Sequence, residues 1–277
     1  MARASKPTWK PSPSDFEQVL TEQNPWHSTS QVPDAWARDV QRPLARNLWS
    51  LVERDAPHRF QLVLGPRRVG KTTAMYQTVR HLLPRVGEPA RVWWLRLDHP
   101  LLMNVPMGEL VKGVLGVAPA GAPTYLFLDE ITYAEQWDLW LKTFYDDGRP
   151  VQVVGTSSAT AALRDRRLES GVGRWEEQYL APYCFKEYLD LRKVDTSGWA
   201  AGPHLGATID GWFDRTQPAP DLADHRRRFI LTGGFPELLL SGAVTATTDE
   251  TTLLLQSQRT LRSDAVERAV YKDIPQT

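Results

Sequence analysis

The sequence has almost no cysteine, no long apolar run and no net charge. Of 277 residues only Cys184 is a cysteine, which excludes an internal disulfide bond and a zinc site built from cysteines. No segment approaches the roughly 18 apolar residues that a membrane-spanning helix needs. The N-terminal residues also lack the apolar segment of a secretory signal. We therefore expect a cytoplasmic protein that does not contact a membrane.

The charge balance gives little support to nucleic acid as a partner. Lysine plus arginine and aspartate plus glutamate number 33 each, so the formal net charge is zero. Any contact with nucleic acid would therefore have to come from a local basic patch. The run Arg226-Arg227-Arg228 could form one, but a solvated helix face is the commoner role of such a run.

One motif has a specific chemical meaning. After an apolar run at 60–64 the chain continues with Gly65, Pro66, Arg67, Arg68, Val69, Gly70, Lys71, Thr72 and Thr73. The pattern G-x-x-x-x-G-K-[ST] between a strand and a helix is typical of a phosphate-binding loop. Its glycines let backbone N–H groups point at phosphate oxygens. We expect residues 65–73 to bind a nucleotide, with Lys71 reaching the β- and γ-phosphates and Thr72 binding magnesium.

A phosphate loop of this kind works with an acidic residue at the end of another strand. The apolar residues 125–128 are followed by Asp129 and Glu130. Asp129 is expected to bind Mg²⁺, because a hard cation prefers carboxylate oxygen. Glu130 is the natural general base for polarising an attacking water. Two solvated acids at an ordinary strand end are the alternative interpretation.

Polar side chains also follow the fourth predicted strand, where a parallel sheet presents its ligand crevice. Thr156 and Ser157, with Ser158 beside them, are candidates for contacting the γ-phosphate or orienting the water, and helix capping is an equal alternative. Arg174 is the first candidate for an arginine that stabilises the transition state. It could act within its own chain or across a subunit interface, so a monomer and a homo-oligomer both stay open.

Short apolar strands alternate with amphipathic helices along the chain. Strands are predicted at 60–64, 91–97, 125–128, 151–154 and 177–181. This alternation favours an α/β fold with a parallel sheet and helices on both faces. The predicted organisation is a mobile N-terminal arm (1–32), a P-loop core (33–192), a polar insertion or loop (193–222) and a helical region (223–277).

Taken together, these motifs resemble a family of bacterial and archaeal AAA+ ATPases, the type followed by a C-terminal domain of unknown function. The resemblance covers about residues 24–274 and includes GPRRVGKTT, LFLDEITYAEQWDLWLKTFYDDG, GTSSA, GRWEEQYLAPYCFKEYL and GGFPELLL. It implies an α/β core of five parallel strands in the order 5-1-4-3-2, a small helical lid, and ATP with Mg²⁺. The Gly234-Phe235-Pro236 element is similar to the one by which related signalling ATPases set the lid against adenine, which implies a nucleotide contact for Pro236.

The resemblance implies Mg²⁺-dependent ATP hydrolysis that moves the lid on behalf of an unidentified protein partner. Two alternatives stay open: a nucleotide-gated signalling switch or scaffold with negligible turnover, and a small-molecule kinase. The family usually continues past a segment like 270–274 into a further domain. We therefore expect the lid, 223–277, to be truncated before that domain.

Overall fold

A computed structural model describes residues 12–52, 59–103, 105–120, 123–158, 173–194, 222–240, 249–260 and 262. These residues fall into two compact units. The first comprises the described residues up to Pro66 and those from Gly70 to Leu180. The second comprises Arg67–Val69 and the described residues from Ala181 onward. Across these ranges no helix has both the length and the apolar character that crossing a membrane requires.

The first unit is built on a sheet of five strands: β1 (Phe60–Leu64), β2 (Val92–Arg96), β3 (Thr124–Asp129), β4 (Val151–Ser157) and β5 (Trp175–Tyr179). All neighbouring strands are parallel, and their order is β2-β3-β4-β1-β5. Read from the other edge this is 5-1-4-3-2, so the predicted fold class and strand order are confirmed. β5 begins two residues before the predicted 177–181, because Trp175 already pairs with Phe60 at the start of β1.

The helices of this unit are α1 (Pro13–Gln23), α2 (Trp26–Thr29), α3 (Asp34–Ala37), α4 (Pro43–Val52), α5 (Lys71–Leu82), α6 (Met107–Val117) and α7 (Trp137–Asp146). In α6 and α7 the apolar residues recur at helical spacing. One core cluster joins these two helices to β3, and it includes Leu110, Val114, Trp137 and Leu141 of the helices and Leu126 and Leu128 of β3. The core therefore fixes β3, whose last residue is Asp129.

Of the predicted mobile arm, 1–32, the structure describes residues 12–32, and residues 1–11 lie outside the described part of the chain. Residues 13–23 form α1, in which Val19 and Leu20 are buried. The side chain of Asn24 donates to Trp94 O at 3.0 Å and accepts from Trp94 N at 2.6 Å. The buried contacts of this segment are with residues about 70 positions away in the chain, which no local periodicity reveals.

The second unit contains α8 (Phe185–Leu191), α9 (Leu222–Thr232), α10 (Pro236–Leu240) and α11 (Glu250–Thr260). Its core is a small cluster that includes Tyr183, Tyr188, Leu189 and Leu239. The predicted polar insertion, 193–222, lies almost wholly outside the described residues, and so do most of the residues after 260. The domain limits inferred from the sequence therefore stay a prediction.

Candidate functional site

The phosphate loop leaves β1 at Gly65 and enters α5 at Lys71. Gly65 has a φ of 150°, and a β-carbon built on it would lie 2.1 Å from the carbonyl oxygen of Leu180. Only glycine fits so close to another backbone. Beyond Pro66 the loop turns at Arg68, which has a φ of 62°. The turn ends at the N-terminus of α5, where backbone N–H groups and the helix dipole attract anions.

Lys71 is nearly buried, and its ammonium group is held over the loop. Its Nζ donates to Gly65 O at 2.9 Å and to Pro66 O at 2.8 Å. It also donates to Ser158 Oγ at 2.9 Å. An ammonium group has three donors, and each of these oxygens can accept from one of them. The charge is therefore already positioned at the loop, with neutral acceptors that a phosphate group can replace.

Thr72 and Asp129 meet at the start of α5. Thr72 Oγ1 donates to the carboxylate of Asp129, at 3.3 Å from Oδ1 and 3.1 Å from Oδ2. These are oxygen ligands, the kind that Mg²⁺ prefers. Within the described ranges no three His, Cys, Asp or Glu side chains cluster closely enough to hold a metal ion. The pair therefore fits a magnesium ion that takes its remaining ligands from phosphate and water.

Asp129 is a buried carboxyl group at the end of β3, with 5% of its surface exposed. Burial is the main reason that its pKa is raised to about 6, and the charge of Glu130 adds to the rise. Hydrogen bonds from Thr156 and Thr72, and the charge of Lys71, act in the opposite direction. A divalent cation at this carboxylate would strongly favour its ionised form.

Glu130 has an unusual backbone conformation, with a φ of 55° in a region that non-glycine residues seldom adopt. Its backbone N–H donates to Thr156 Oγ1 at 2.9 Å. Its carboxylate accepts hydrogen bonds from Ser158 Oγ at 2.5 Å and from Ser158 N at 3.3 Å. Ser158 thus contacts both Lys71 and Glu130, and Thr156 contacts both acidic residues.

The tip of β4 places only part of the predicted polar group at the site. Side chains alternate along a strand, so Thr156 and Ser158 share one face while Ser157 lies on the other. Ser157 is fully buried, with its Oγ 3.4 Å from Thr132 Oγ1. The structure therefore puts Ser158, rather than Ser157, against Lys71 and Glu130.

Arg174 lies at the amino ends of the strands, whereas the phosphate loop lies at their carboxyl ends. This position does not fit a catalytic role within its own chain. It precedes β5, and its carbonyl oxygen accepts from Phe60 N at the start of β1, whereas the phosphate loop follows the end of β1. Its guanidinium forms a double hydrogen bond with Asp146, at 2.8 and 2.9 Å. This pair holds the pKa of the Asp146 carboxyl below its usual range. Of the two alternatives that the sequence left open, action within its own chain does not fit this position, because a parallel sheet separates the two ends of each strand.

The other predicted binding residues fall in both units. Thr73 is half-buried in the first turn of α5, and Val69 is fully buried. Arg67 and Arg68 form the loop tip, which belongs to the second unit. Pro236 is buried in the second unit, where it begins α10. Its contact with adenine stays a prediction.

Two further residues were absent from the sequence-based site. Tyr76, one helical turn after Thr72, stacks on Trp94 with ring centroids 3.8 Å apart. Burial, together with the nearby charge of Asp129, raises the pKa of its hydroxyl. Glu237, which follows Pro236, forms an ion pair with Arg68. The i, i+4 spacing from Thr72 was a signal for Tyr76, whereas no local pattern connects Glu237 with the loop.

The phosphate loop, the acidic end of β3 and the tip of β4 converge at the carboxyl ends of one parallel sheet of order 5-1-4-3-2. Residues 57–189 match the family described as "AAA domain". The match covers a little under half of the chain, and this part, which carries the site, is similar to that family.

Two archaeal proteins of Methanocaldococcus jannaschii are similar in sequence, and both are described as uncharacterized. MJ1637 is 31% identical over 135 residues, which cover 48% of this chain and 28% of that protein. MJ1544 is 25% identical over 192 residues, 66% of this chain and 37% of that protein. The chain thus spans between a quarter and two fifths of the length of these relatives.

Solved structures with a related arrangement include three whose sequences are distant. PCH-2 of C. elegans has a TM-score of 0.49 and 12% sequence identity, and the match covers 92% of this chain and 74% of that one. The Aeropyrum pernix ORC1 protein in complex with DNA has a TM-score of 0.44 and 15% identity, with 90% and 68% covered. The Thermotoga maritima RuvB Holliday junction branch migration motor has a TM-score of 0.37 and 17% identity, with 81% and 71% covered.

Proposed function

We propose that this protein binds ATP with Mg²⁺ and hydrolyses its β–γ phosphoanhydride bond. The observation that carries the proposal is the convergence of Lys71 and Glu130 on one hydroxyl, that of Ser158, beside the Thr72–Asp129 pair. A phosphate-binding ammonium group, a candidate base and a pair of oxygen ligands for magnesium thus lie together at one edge of the sheet.

Nucleotide binding is assigned to the loop and to Lys71. Entry of the phosphates would exchange the carbonyl acceptors of Lys71, Gly65 O and Pro66 O, for phosphate oxygens at little rearrangement. A charged acceptor forms a stronger hydrogen bond with an ammonium group than a neutral carbonyl does. The buried position of Lys71 increases this preference, because water competes less for its charge.

Magnesium would be held by Thr72 Oγ1 and the Asp129 carboxylate. When bound, the ion neutralises charge that develops on the phosphate oxygens during transfer. The chain contributes by fixing Asp129, whose Oδ1 accepts a 2.5 Å hydrogen bond from Thr156. The carboxylate is thereby oriented toward Thr72 before any ligand arrives.

Glu130 is assigned the role of general base. It would accept a proton from the water that attacks the γ-phosphorus, while the bond to the bridging oxygen of ADP breaks. Glu130 has a left-handed backbone conformation, and its carboxylate contacts Ser158. The Asp129 carboxylate instead contacts Thr72 and Thr156. The two neighbouring acids can therefore serve different functions.

A second candidate is a nucleotide-gated switch that binds ATP or ADP and turns over negligibly. The observation in its favour is that the Glu130 carboxylate is already engaged by the hydroxyl and the backbone N–H of Ser158. A base that stays bound in this way would not activate water. In both cases we propose that the nucleotide state changes the position of the helical region after residue 222 for a protein partner.

The deciding experiment measures phosphate release and solution mass in the same samples, with and without ATP and Mg²⁺. Steady phosphate release supports the ATPase. A stoichiometric nucleotide that survives purification without turnover supports the switch, and a mass that changes with ATP supports a homo-oligomer. Failure to bind ATP or ADP would contradict both functions. A cytoplasmic location, the partner and any action of Arg174 across an interface stay predictions.

A further inference from the structure

Arg68, at the tip of the phosphate loop, forms an ion pair with Glu237, the second residue of α10. The contact joins the guanidinium Nη1 to the carboxylate Oε2. Both residues belong to the second unit, which takes in the loop tip Arg67–Val69. The two side chains are 42% and 49% exposed, and a pair this exposed adds little to stability. Its location in the phosphate loop therefore points to a role other than stability.

Glu237 is carried by a segment that is firmly held within its own unit. The preceding Gly234 has a φ of 70°, and a β-carbon there would lie 2.5 Å from Tyr183 O. Tyr183 N donates to Gly234 O at 2.8 Å. In α10 itself Leu238 and Leu239 are buried, whereas Glu237 is exposed. The helix thus presents one carboxylate at a fixed place.

Arg68 is the matching cation on the loop. Its backbone adopts the left-handed conformation in the middle of a turn, so its direction is set by the loop rather than by a regular element. A guanidinium binds carboxylate and phosphate with the same planar set of donors. Glu237 therefore engages a guanidinium that a phosphate group arriving at the loop would bind.

We propose that nucleotide phosphate and Glu237 compete for Arg68, so that the Arg68–Glu237 pair is a latch that nucleotide binding opens. The latch rests on the nucleotide function proposed above and gives it a connection to α10. Coupling of this kind is reciprocal. If nucleotide releases α10 from the loop, then α10 in its latched position weakens nucleotide binding. Glu237 is accordingly a positioning residue that acts through Arg68.

The test compares nucleotide affinity in four variants of the full chain: Glu237→Gln, Arg68→Gln, the double variant and Glu250→Gln. Glu250 is a matched control, because it pairs with Arg227 in the same unit and its side chain is 51% exposed. Dissociation constants for fluorescent ATP and ADP with Mg²⁺ are measured by titration. Glu237→Gln is expected to bind about two- to fivefold more tightly, since a competing carboxylate is removed.

The other variants identify the route of the effect. Arg68→Gln is expected to bind nucleotide more weakly, and the double variant should match Arg68→Gln, because Glu237 acts only through Arg68. Glu250→Gln should bind like the wild type. Equal affinity of Glu237→Gln and wild type, or an equal gain in Glu250→Gln, would overturn the latch and leave the proposed function intact.

Hydrogen exchange on the wild type needs no substitution and decides the latch even if a variant fails to fold. Nucleotide is expected to increase amide exchange in residues 236–240, and Glu237→Gln should show the faster exchange without nucleotide. If nucleotide binds and exchange in α10 is unchanged or slower, the latch is wrong. If the folded wild type binds no nucleotide, the proposed function fails and the latch fails with it.

Discussion

Thr156 Oγ1 donates a 2.5 Å hydrogen bond to Asp129 Oδ1, and this contact joins the ends of two neighbouring strands. The same hydroxyl accepts from the backbone N–H of Glu130 at 2.9 Å. One threonine therefore orients the buried carboxylate and fixes the backbone of the candidate base. The cost of burying Asp129 appears in its pKa, which is raised to about 6.

Asp129→Asn is expected to stabilise the nucleotide-free protein at neutral pH. The rise in pKa from 3.8 to about 6 corresponds to roughly 3 kcal/mol at most. The folded state binds the proton of Asp129 more tightly than the unfolded state does. The contribution of this group to the free energy of unfolding is therefore largest below about pH 4 and is lost as the pH rises to about 6. Denaturant unfolding of the wild type and the variant between pH 4 and 8, without Mg²⁺, measures the effect.

A useful control for this prediction is Asp146→Asn. The pKa of Asp146 is lowered by Arg174, so its charged form stabilises the fold and its replacement should destabilise the protein at neutral pH. An Asp129→Asn protein that is no more stable than the wild type at pH 7 would show that burial of this carboxylate carries no such cost.

Glu130→Gln is expected to bind ATP like the wild type and to lose turnover by about 10²- to 10⁴-fold, because the amide cannot accept the proton from water. Lys71→Ala should instead lose nucleotide binding. Phosphate release under saturating ATP, with affinity measured separately, distinguishes the two effects. Turnover at the parental rate in Glu130→Gln would remove Glu130 as the base.

Ser158→Ala tests the hydroxyl shared by Lys71 and Glu130. If the protein is an ATPase, the variant should lose about tenfold in kcat with little change in affinity, because a polar contact near the reacting phosphate is lost. Ser158→Thr keeps the hydroxyl and should retain most of the activity. A higher kcat in Ser158→Ala would instead show that Ser158 restrains Glu130, as the switch hypothesis requires.

Gly65→Ala is expected to destabilise the fold by more than about 2 kcal/mol, since the new β-carbon would collide with Leu180 O. Gly116→Ala provides the matched comparison. Gly116 lies in α6, a β-carbon there meets nothing within 4 Å, and alanine is favoured in helices by about 0.5–1 kcal/mol. Thermal unfolding of both variants should therefore show shifts of opposite sign.

The sequence predicted the sheet and singled out the polar residues at its strand ends, because both depend on local patterns. Apolar runs followed by Gly65, Asp129 and Thr156 mark strand ends, and parallel strands bring those ends to one edge. The sequence did not predict which polar residue of β4 meets Lys71. That depends on the two-residue alternation of the strand, which selected Ser158 and turned Ser157 to the other face.

Arg174 and Glu237 show where local patterns give no information. Arg174 is close to the β4 residues in the chain but lies at the opposite end of the sheet, where it binds Asp146. Glu237 is 169 residues from Arg68 and becomes its partner only through tertiary structure. Closeness in the sequence suggested Arg174 as a site residue, and distance in the sequence gave no reason to consider Glu237.

The contacts of the N-terminal segment with β2 have a consequence for the solubility of the fold. β2 is an edge strand, and its outward backbone groups could pair with a strand of another molecule. Side chains occupy these groups instead: Gln23 accepts from Arg96 N, Asn24 binds Trp94 N and O, and Trp26 donates to Val92 O. Three residues that form no strand thereby protect this edge from aggregation.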